Sequence, residues 1–311
     1  MLKTNEFLYK TSPFVYREGM YLRLCNDKSN VTRKEMHSFI GKRYLSDIDM
    51  DILNILYTLK VLNRHVLQQY LWNMKSEYEG KDLKNTLKKM VELGILLRYT
   101  YEYADEQGDV QSTPYFYSLS YGAYLYMQKF STRSKSAAED YEELVADTAY
   151  KILAVNQFYV FFLKEYEHLI KREIFHHTVT FGDNKRLTID LSLRLKARNL
   201  SSGFLDILVV PVRKDPGWKE QLKDRIVEYI EYMSCDNSLL SSPLLLFLAE
   251  SDEHIKEVYL ALKGSKIDFK GTLRLYTTDT QVAREPILNY LYDCEESGDN
   301  LSLVVKSINI R

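Results

Sequence analysis

The 311-residue sequence predicts an α+β protein built from two domains. Three observations support this prediction. Apolar residues recur at helical spacing in successive segments of 46–130, and a stretch with strand-like alternation follows them. Strand and helix segments then alternate through 141–311, which is typical of a mixed α/β sheet flanked by helices. The small polar residues of 131–140, STRSKSAAED, separate the two regions as a linker.

The composition is that of an ordinary globular protein, with 45% apolar and 27% charged residues. The apolar runs are shorter than the roughly 20 residues that cross a bilayer. The start, MLKTNEFLYK, lacks the pattern of a signal peptide. We therefore expect a cytoplasmic protein with no membrane association. Cys25, Cys235 and Cys294 lie far apart, so we expect reduced thiols and no cysteine metal site.

Residues 1–45 form an N-terminal extension without a strong period, although the alternation of Met20, Leu22 and Leu24 is compatible with a strand. The extension is mildly basic, with Arg33, Lys34, Lys42 and Arg43. Two interpretations stay open. The extension either contacts DNA as an arm or packs on the neighbouring domain, and the second interpretation is favoured.

Start and stop signals predict three helices in the first domain. Ser46 and Asp49 form a variant of the capping box in front of an apolar stripe, so a helix begins there. Asn63 is a suitable cap for a second helix. The third helix lies in KDLKNTLKKMVELGIL and ends near Gly94, where a left-handed residue is expected.

The third helix has a basic outer face, formed by Lys81, Lys84, Asn85 and Lys88, with Lys89 at its edge. At spacings of three and four residues these side chains project to one side, which suits insertion into a major groove. Lysines there contact phosphates, and an asparagine can read an adenine edge. Because the net charge of the chain is −1, any affinity for DNA depends on such a local face. The alternative is a solvated lysine-rich surface.

A two-stranded hairpin is predicted next, running from ILLRYTYEYA through DEQGDVQS to TPYFYSLS. Its tip is acidic, with Asp105, Glu106 and Asp109, so we expect Arg98 on the first strand to be the better contact with phosphate. Ser120 then begins a helix that closes the domain or forms a dimer seam. Three helices followed by a hairpin are the order of a winged helix-turn-helix, which predicts binding of double-stranded DNA by a homodimer.

The second domain is predicted to begin with one long helix or two joined helices, in DYEELVADTAYKILAVNQFYVFFLKEYEHLIKRE. Three strands follow, in HHTVTF, RLTIDLSLRLKA and GFLDILVVPVRK. The helix WKEQLKDRIVEYIEYM, the strand PLLLFLAE, the helix SDEHIKEVYLAL and the strand TLRLYTTD come next, before a terminal segment, VAREPILNYLYD.

This order of a helix, three strands with Asp190 in the second, a crossover helix and further strands resembles the PD-(D/E)XK nuclease core. More narrowly, 46–282 resembles the replication-relaxation family of Gram-positive plasmids and mobile elements. The turn LSYGAYLY corresponds to that family's Thr-Pro-Lys-Gly-like turn, and LRLYTTD resembles its strand ending in Thr-Thr-hydrophobic-Asp. The resemblance implies a role in replication, conjugative DNA processing or transcriptional regulation, with other replication or transfer proteins of the element as possible partners.

The sequence departs from the nuclease pattern at the positions of the catalytic carboxylates and lysine. Asp190 has the first acidic position, but no D/E-x-K triplet follows, because Asp206 comes too early and Lys214 too late. Pro211 is expected to interrupt the strand ladder there. We therefore expect a nuclease-like domain without activity, in which Asp190 simply terminates a strand. The enzymatic alternative is a divergent metal-dependent nuclease that uses Asp190 with an unconventional partner.

No other cofactor or metal chemistry is indicated by the sequence. His176 and His177 are adjacent and would point to opposite faces of a strand, and no phosphate-binding or dinucleotide-binding glycine loop is present. We expect a non-enzymatic DNA-binding protein without cofactors. A third alternative is an adaptor whose winged helix binds protein, which the near-neutral charge permits.

Overall fold

The computed structural model describes residues 12, 14–130, 139–235, 243–269, 271–283, 286–298 and 300–310, with the backbone alone described at 130 and 139–147. Over these stretches the chain is α+β, with two sheets and nine α-helices. It divides into two compact units. The first is Arg17–Asn156, and the second consists of the residues up to Tyr16 and those from Gln157 onwards. None of the helices described is both long and apolar enough to cross a bilayer.

The first unit alternates short strands with helices. Its elements are β1 (Tyr21–Leu24), α1 (Arg33–Gly41), α2 (Asp47–Leu59), β2 (Val61–Asn63), α3 (Arg64–Met74), α4 (Lys84–Glu92), β3 (Leu96–Ala104), β4 (Val110–Ser112), β5 (Phe116–Leu119) and α5 (Tyr121–Phe130). The strands form an antiparallel sheet of order β1-β3-β5-β2, and β4 pairs with the outer part of β3. The long helix α6 (Glu139–Tyr166) follows and continues into the second unit.

The helix caps predicted from the sequence are confirmed. The backbone N–H and hydroxyl of Ser46 both donate to Oδ2 of Asp49 at 2.8 Å, and Oδ1 of Asn63 accepts from the backbone N–H of Val66 at 2.8 Å. Gly94 has the expected left-handed backbone, with φ of +73°. The third helix is shorter than predicted, because α4 begins at Lys84. Lys81 therefore lies before the helix.

Residues 17–45 contribute a strand and a helix to the first unit. The strand expected from the alternation around Leu22 is β1, which pairs with β3, and α1 was not anticipated. The side chain of Asn26 reinforces the attachment, because its amide donates to the carbonyl of Leu96 at 2.8 Å and its Oδ1 accepts from the N–H of Arg98 at 2.7 Å. The predicted linker, 131–140, lies outside the described residues except at its last two positions, where α6 begins.

The second unit contains a seven-stranded mixed sheet. After α6 its elements are β6 (Ile170–Phe181), β7 (Lys185–Lys196), β8 (Phe204–Pro211), α7 (Trp218–Met233), β9 (Leu244–Ala249), α8 (Asp252–Gly264), β10 (Arg274–Thr278), α9 (Asp279–Val282), β11 (Leu291–Ser297) and β12 (Asn300–Lys306). The strand order is β12-β11-β10-β9-β8-β7-β6. Strands β8, β9 and β10 are parallel, and the outer pairs are antiparallel. The C-terminal hairpin of β11 and β12 was not anticipated.

Two expectations for this sheet are wrong. Asp190 does not terminate a strand, because it lies within β7. Pro211 does not interrupt the ladder. It is the last residue of β8, beyond the pairing with β7 that ends at Val209, so its missing N–H removes no bond from that side. On the other side the N–H of Val212 donates to the carbonyl of Leu248 at 2.9 Å and continues the parallel ladder.

Gly122 offers a test of how tightly residues 17–45 are attached. A Cβ added at this position of α5 would lie 1.6 Å from the carbonyl oxygen of Val31, so backbone has to move to make room for it. We expect Gly122→Ala to destabilise the first unit by about 3 kcal/mol or more, as a severe case of overpacking. Urea unfolding measures this. Gly41→Ala is the matched control, because Gly41 ends α1 with open space around it and should tolerate alanine.

Candidate nucleic-acid interface

Helix α4 is anchored on one side and open on the other. Leu87, Met90 and Val91 are buried against the core of the first unit. Lys84 and Asn85 are exposed, and so is Lys88, one turn after Lys84. These three side chains lie on the exposed face of α4, which also carries Glu92 one turn after Lys88. The structure therefore places them together as the sequence analysis expects.

The segment between α3 and α4 is fixed to α2 through Asp51. Its carboxylate accepts from the hydroxyl of Tyr78 at 2.6 Å and from Nζ of Lys75 at 2.6 Å. Burial, together with this hydrogen bond to Asp51, raises the pKa of Tyr78 to about 12, so its hydroxyl remains a donor at neutral pH. Nζ of Lys81 lies 5.1 Å from the centre of the Tyr78 ring, a cation–π distance. Lys81 is thus beside the α3–α4 connection and not on α4.

Lys89 has a structural role that the sequence did not reveal. Its ammonium pairs with the carboxylate of Asp49, whose side chain is fully buried in the first turn of α2. Nζ of Lys89 also lies 3.4 Å from the carbonyl oxygen of Tyr44. A buried carboxylate needs a partner of opposite charge. Lys89 therefore holds α4 against the start of α2, and its charge is largely neutralised.

Lys88 is the other lysine of α4 with an acidic neighbour. Its Nζ lies 3.7 Å from the carboxylate of Glu92, and both side chains are well exposed. Exposed pairs of this kind contribute little and exchange readily with other partners. Lys88 therefore remains suitable for contact with an external anion, as does Lys84.

Arg98 is occupied by neighbours within the first unit. One guanidinium nitrogen donates to the carbonyl of Cys25 at 2.9 Å, and the guanidinium lies 4.9 Å from the centre of the Tyr115 ring. These contacts place Arg98 between the end of β1 and the strand β5. A contact with DNA by this side chain would compete with them.

The tip of the β3–β4 hairpin is an ordered acidic turn. The carboxylate of Asp105 accepts from Nε2 of Gln111 at 2.8 Å and from the backbone N–H groups of Gln107 and Asp109 at 3.0 and 2.9 Å. The hydrogen bond from Gln111 and those from the backbone hold the pKa of Asp105 below its usual value. Glu106 and Asp109 are exposed beside it. The tip is therefore negatively charged at neutral pH and repels phosphate.

The acidic residues of the nuclease-like pattern are engaged by arginines in the second unit. Asp190 pairs with Arg225 of α7, whose guanidinium also donates to the carbonyl of Thr188 at 3.2 Å. Asp206 accepts two hydrogen bonds from Arg194, each 2.7 Å long. Within the described stretches no group of three or more His, Cys, Asp or Glu side chains is placed to hold a metal ion.

A buried polar cluster that the sequence analysis missed lies at the carboxyl ends of β8, β9 and β10. It contains Arg213 and Asp279, both fully buried, whose side chains pair at 2.8 Å. Arg213 also donates to the carbonyls of Val212 and Leu248 at 2.7 and 3.0 Å, and the hydroxyl of Ser12 donates to Asp279. This edge is where open α/β sheets usually bind ligands. Here Ser12 and Tyr16 of the chain itself contact this edge.

Glu250 and His254 belong to the same cluster. The carboxylate of Glu250 accepts from the backbone N–H groups of Lys214 and Tyr16 at 3.2 and 3.3 Å, and burial raises its pKa. Burial also lowers the pKa of His254 to about 3, so the ring is neutral. Its Nδ1 accepts from the N–H of Glu250 at 3.3 Å, and its ring meets Trp218 edge-on. The only sequence signal for this cluster is that charged residues directly follow apolar strands.

Comparison of the chain with protein-family models, with curated proteins and with solved structures found no significant match.

Replacement of lysines on α4 tests whether Lys89 stabilises the fold through its pair with Asp49, whereas Lys84 does not. We expect Lys89→Met to lower the free energy of unfolding by about 2 kcal/mol, because it leaves a buried carboxylate without its cation; this is less than the loss for a fully enclosed pair, since Lys89 is partly exposed. Lys84→Met, on the same helix, should change it by less than about 0.5 kcal/mol. Urea unfolding of both variants measures the two free energies of unfolding. Equal losses in the two variants would contradict the structural role of Lys89.

Proposed function

We propose that the chain is a double-stranded DNA-binding protein whose first unit is a winged helix-turn-helix. Helices α2, α3 and α4 come in the required order, and the hairpin of β3 with β4 and β5 follows them as the wing. Helix α4 has the place of the recognition helix in this arrangement. The residues 17–45 add a strand and a helix around this core.

The observation that supports this proposal best is the two-sided character of α4. Its apolar side is buried in the unit, and its opposite side exposes Lys84, Asn85 and Lys88. In a major groove the two lysines would bind phosphates, and Asn85 would pair with the N6 and N7 edge of an adenine. The acidic hairpin tip would stay away from the backbone of the duplex. Sequence preference thus depends on Asn85, and affinity on the lysines.

The resemblance to the replication-relaxation family supports a role in a plasmid, phage or integrative element. That role would be replication, conjugative DNA processing or regulation of the element's genes. A homodimer would place two recognition helices on successive turns of DNA and increase both affinity and specificity. Other replication or transfer proteins of the same element are the expected partners.

We further propose that the second unit is a PD-(D/E)XK-like domain that does not cleave DNA. The order of α6, β6, β7, β8, α7, β9, α8 and β10 agrees with such a core. In an active site of this kind, carboxylates at the sheet hold a divalent cation. Asp190 and Asp206 are instead paired with arginines, which already supply the positive charge that a metal would bring. The unit would then serve in assembly.

Charge reversal on α4 tests the DNA-binding proposal. We expect Lys84→Glu with Lys88→Glu to weaken binding to the protein's native locus by at least about tenfold in an electrophoretic shift, because two phosphate contacts become repulsive. Lys219→Glu with Lys223→Glu is the matched control, with the same spacing on helix α7. A wild-type chain that binds no DNA at low salt but captures a protein partner would support the adaptor alternative instead.

Incubation with supercoiled DNA tests the second unit. With magnesium or manganese present we expect the DNA to remain uncut, because the carboxylate of Asp190 is neutralised by Arg225. Nicking by the wild-type chain that disappears in Asp190→Ala, while Lys84→Glu still nicks, would establish the divergent nuclease in place of the inactive domain.

A further inference from the structure

The turn that ends α1 holds a basic side chain in a conformation that favours glycine. We name residues Lys42–Tyr44 the basic turn. The N–H of Arg43 donates to the carbonyl of Ile40 at 3.0 Å, and the N–H of Tyr44 donates to the carbonyl of Phe39 at 2.9 Å. These two bonds are the pattern that closes many helices, and they fix Arg43 with φ of +56°.

Glycine, and sometimes asparagine, is the usual residue at this position, because a side chain in a left-handed backbone meets the following carbonyl. Arg43 therefore carries a cost in stability that glycine would not. Its side chain is exposed, and within the described residues no hydrogen bond or ion pair of the side chain offsets this cost. The turn needs a left-handed residue at position 43 but does not need an arginine there. Strained residues of this kind are often found at functional positions.

The basic turn lies beside the exposed face of α4. The carbonyl oxygen of Tyr44 is 3.4 Å from Nζ of Lys89, and Lys89 is one helical turn after Asn85. Tyr44 is 61% exposed and Lys42 is also exposed, so the turn extends the surface on the Asn85 side of α4. Asp47, exposed at the start of α2, is the acidic residue nearest in sequence and offsets only one of the two positive charges.

We propose that the basic turn is a second DNA contact, in which Arg43 and Lys42 bind backbone phosphates beside the groove that α4 enters. This inference rests on the proposed function of α4. A guanidinium can bind two phosphate oxygens at once. The turn is already fixed by its backbone hydrogen bonds, so binding does not have to order it. Phosphates carry no sequence information, and the contact therefore adds affinity and register without changing sequence preference.

Replacement of Arg43 by residues that suit the backbone separates function from structure. We expect Arg43→Gly and Arg43→Asn to unfold at the same temperature as the wild type or higher, since both residues tolerate a left-handed backbone. Their affinity for a DNA site that the wild-type chain prefers should fall about fivefold, and the slope of log K against log salt should fall in magnitude by about one, for one lost phosphate contact. Arg43→Lys keeps the charge and should retain most of the affinity.

Arg33→Ala is the matched control. It removes one positive charge from the opposite end of α1, about 12 Å along the helix axis, and should leave affinity and salt slope unchanged. If the wild-type chain binds DNA and the glycine and asparagine variants bind it with the same affinity and salt slope, the basic turn is not a contact, although the function of α4 stands. A loss of stability in both variants would likewise overturn the inference. A wild-type chain that binds no DNA would overturn the proposed function itself.

Discussion

The buried carboxylate of Asp49 is the constraint on which the geometry of the first unit depends. It accepts from the backbone and hydroxyl of Ser46, which begins α2, and it pairs with Lys89 near the end of α4. A charge that is withdrawn from water must be matched by hydrogen-bond donors and a cation. A rotation of α4 would therefore either expose the carboxylate of Asp49 or leave it buried without its cation. The orientation of the exposed face of α4 is thereby set by an interaction at the edge of that face, next to Asn85.

The second unit uses ion pairs in a similar way. Arg225, Arg194 and Arg213 each neutralise one aspartate on or beside the sheet. An arginine satisfies a buried carboxylate permanently, whereas a metal site needs carboxylates that stay available to a cation. These three pairs therefore fix their aspartates in place and leave each of them occupied by an arginine.

Much of the fold was predictable because the residues that begin and end its helices lie close to one another in the sequence. The caps at Ser46 and Asn63, the left-handed Gly94 and the helix α7 follow from residues a few positions apart. The candidate site was predictable only in part. Lys84, Asn85 and Lys88 are exposed together as their spacing indicates, since helix periodicity alone determines that.

The remaining features depend on contacts between distant residues, which spacing does not reveal. Lys89 looks like any other lysine of α4 until Asp49 is placed beside it, forty positions earlier in the chain. The pairing of β1 with β3 and the polar cluster at the carboxyl edge of the second sheet are visible only in three dimensions. Arg43 is a different case, because its sequence position gives no hint that its backbone is left-handed.

The contact of Ser12 with Asp279 also has a consequence for the order of events during synthesis. The two residues are 267 positions apart, and the whole of the first unit lies between them in the chain. At about 5–20 residues per second, a ribosome takes roughly 15 to 50 seconds to pass from one to the other. The first unit is complete at Asn156, 123 residues before Asp279, so at this rate it has roughly 6 to 25 seconds to fold before the partner of Ser12 is made.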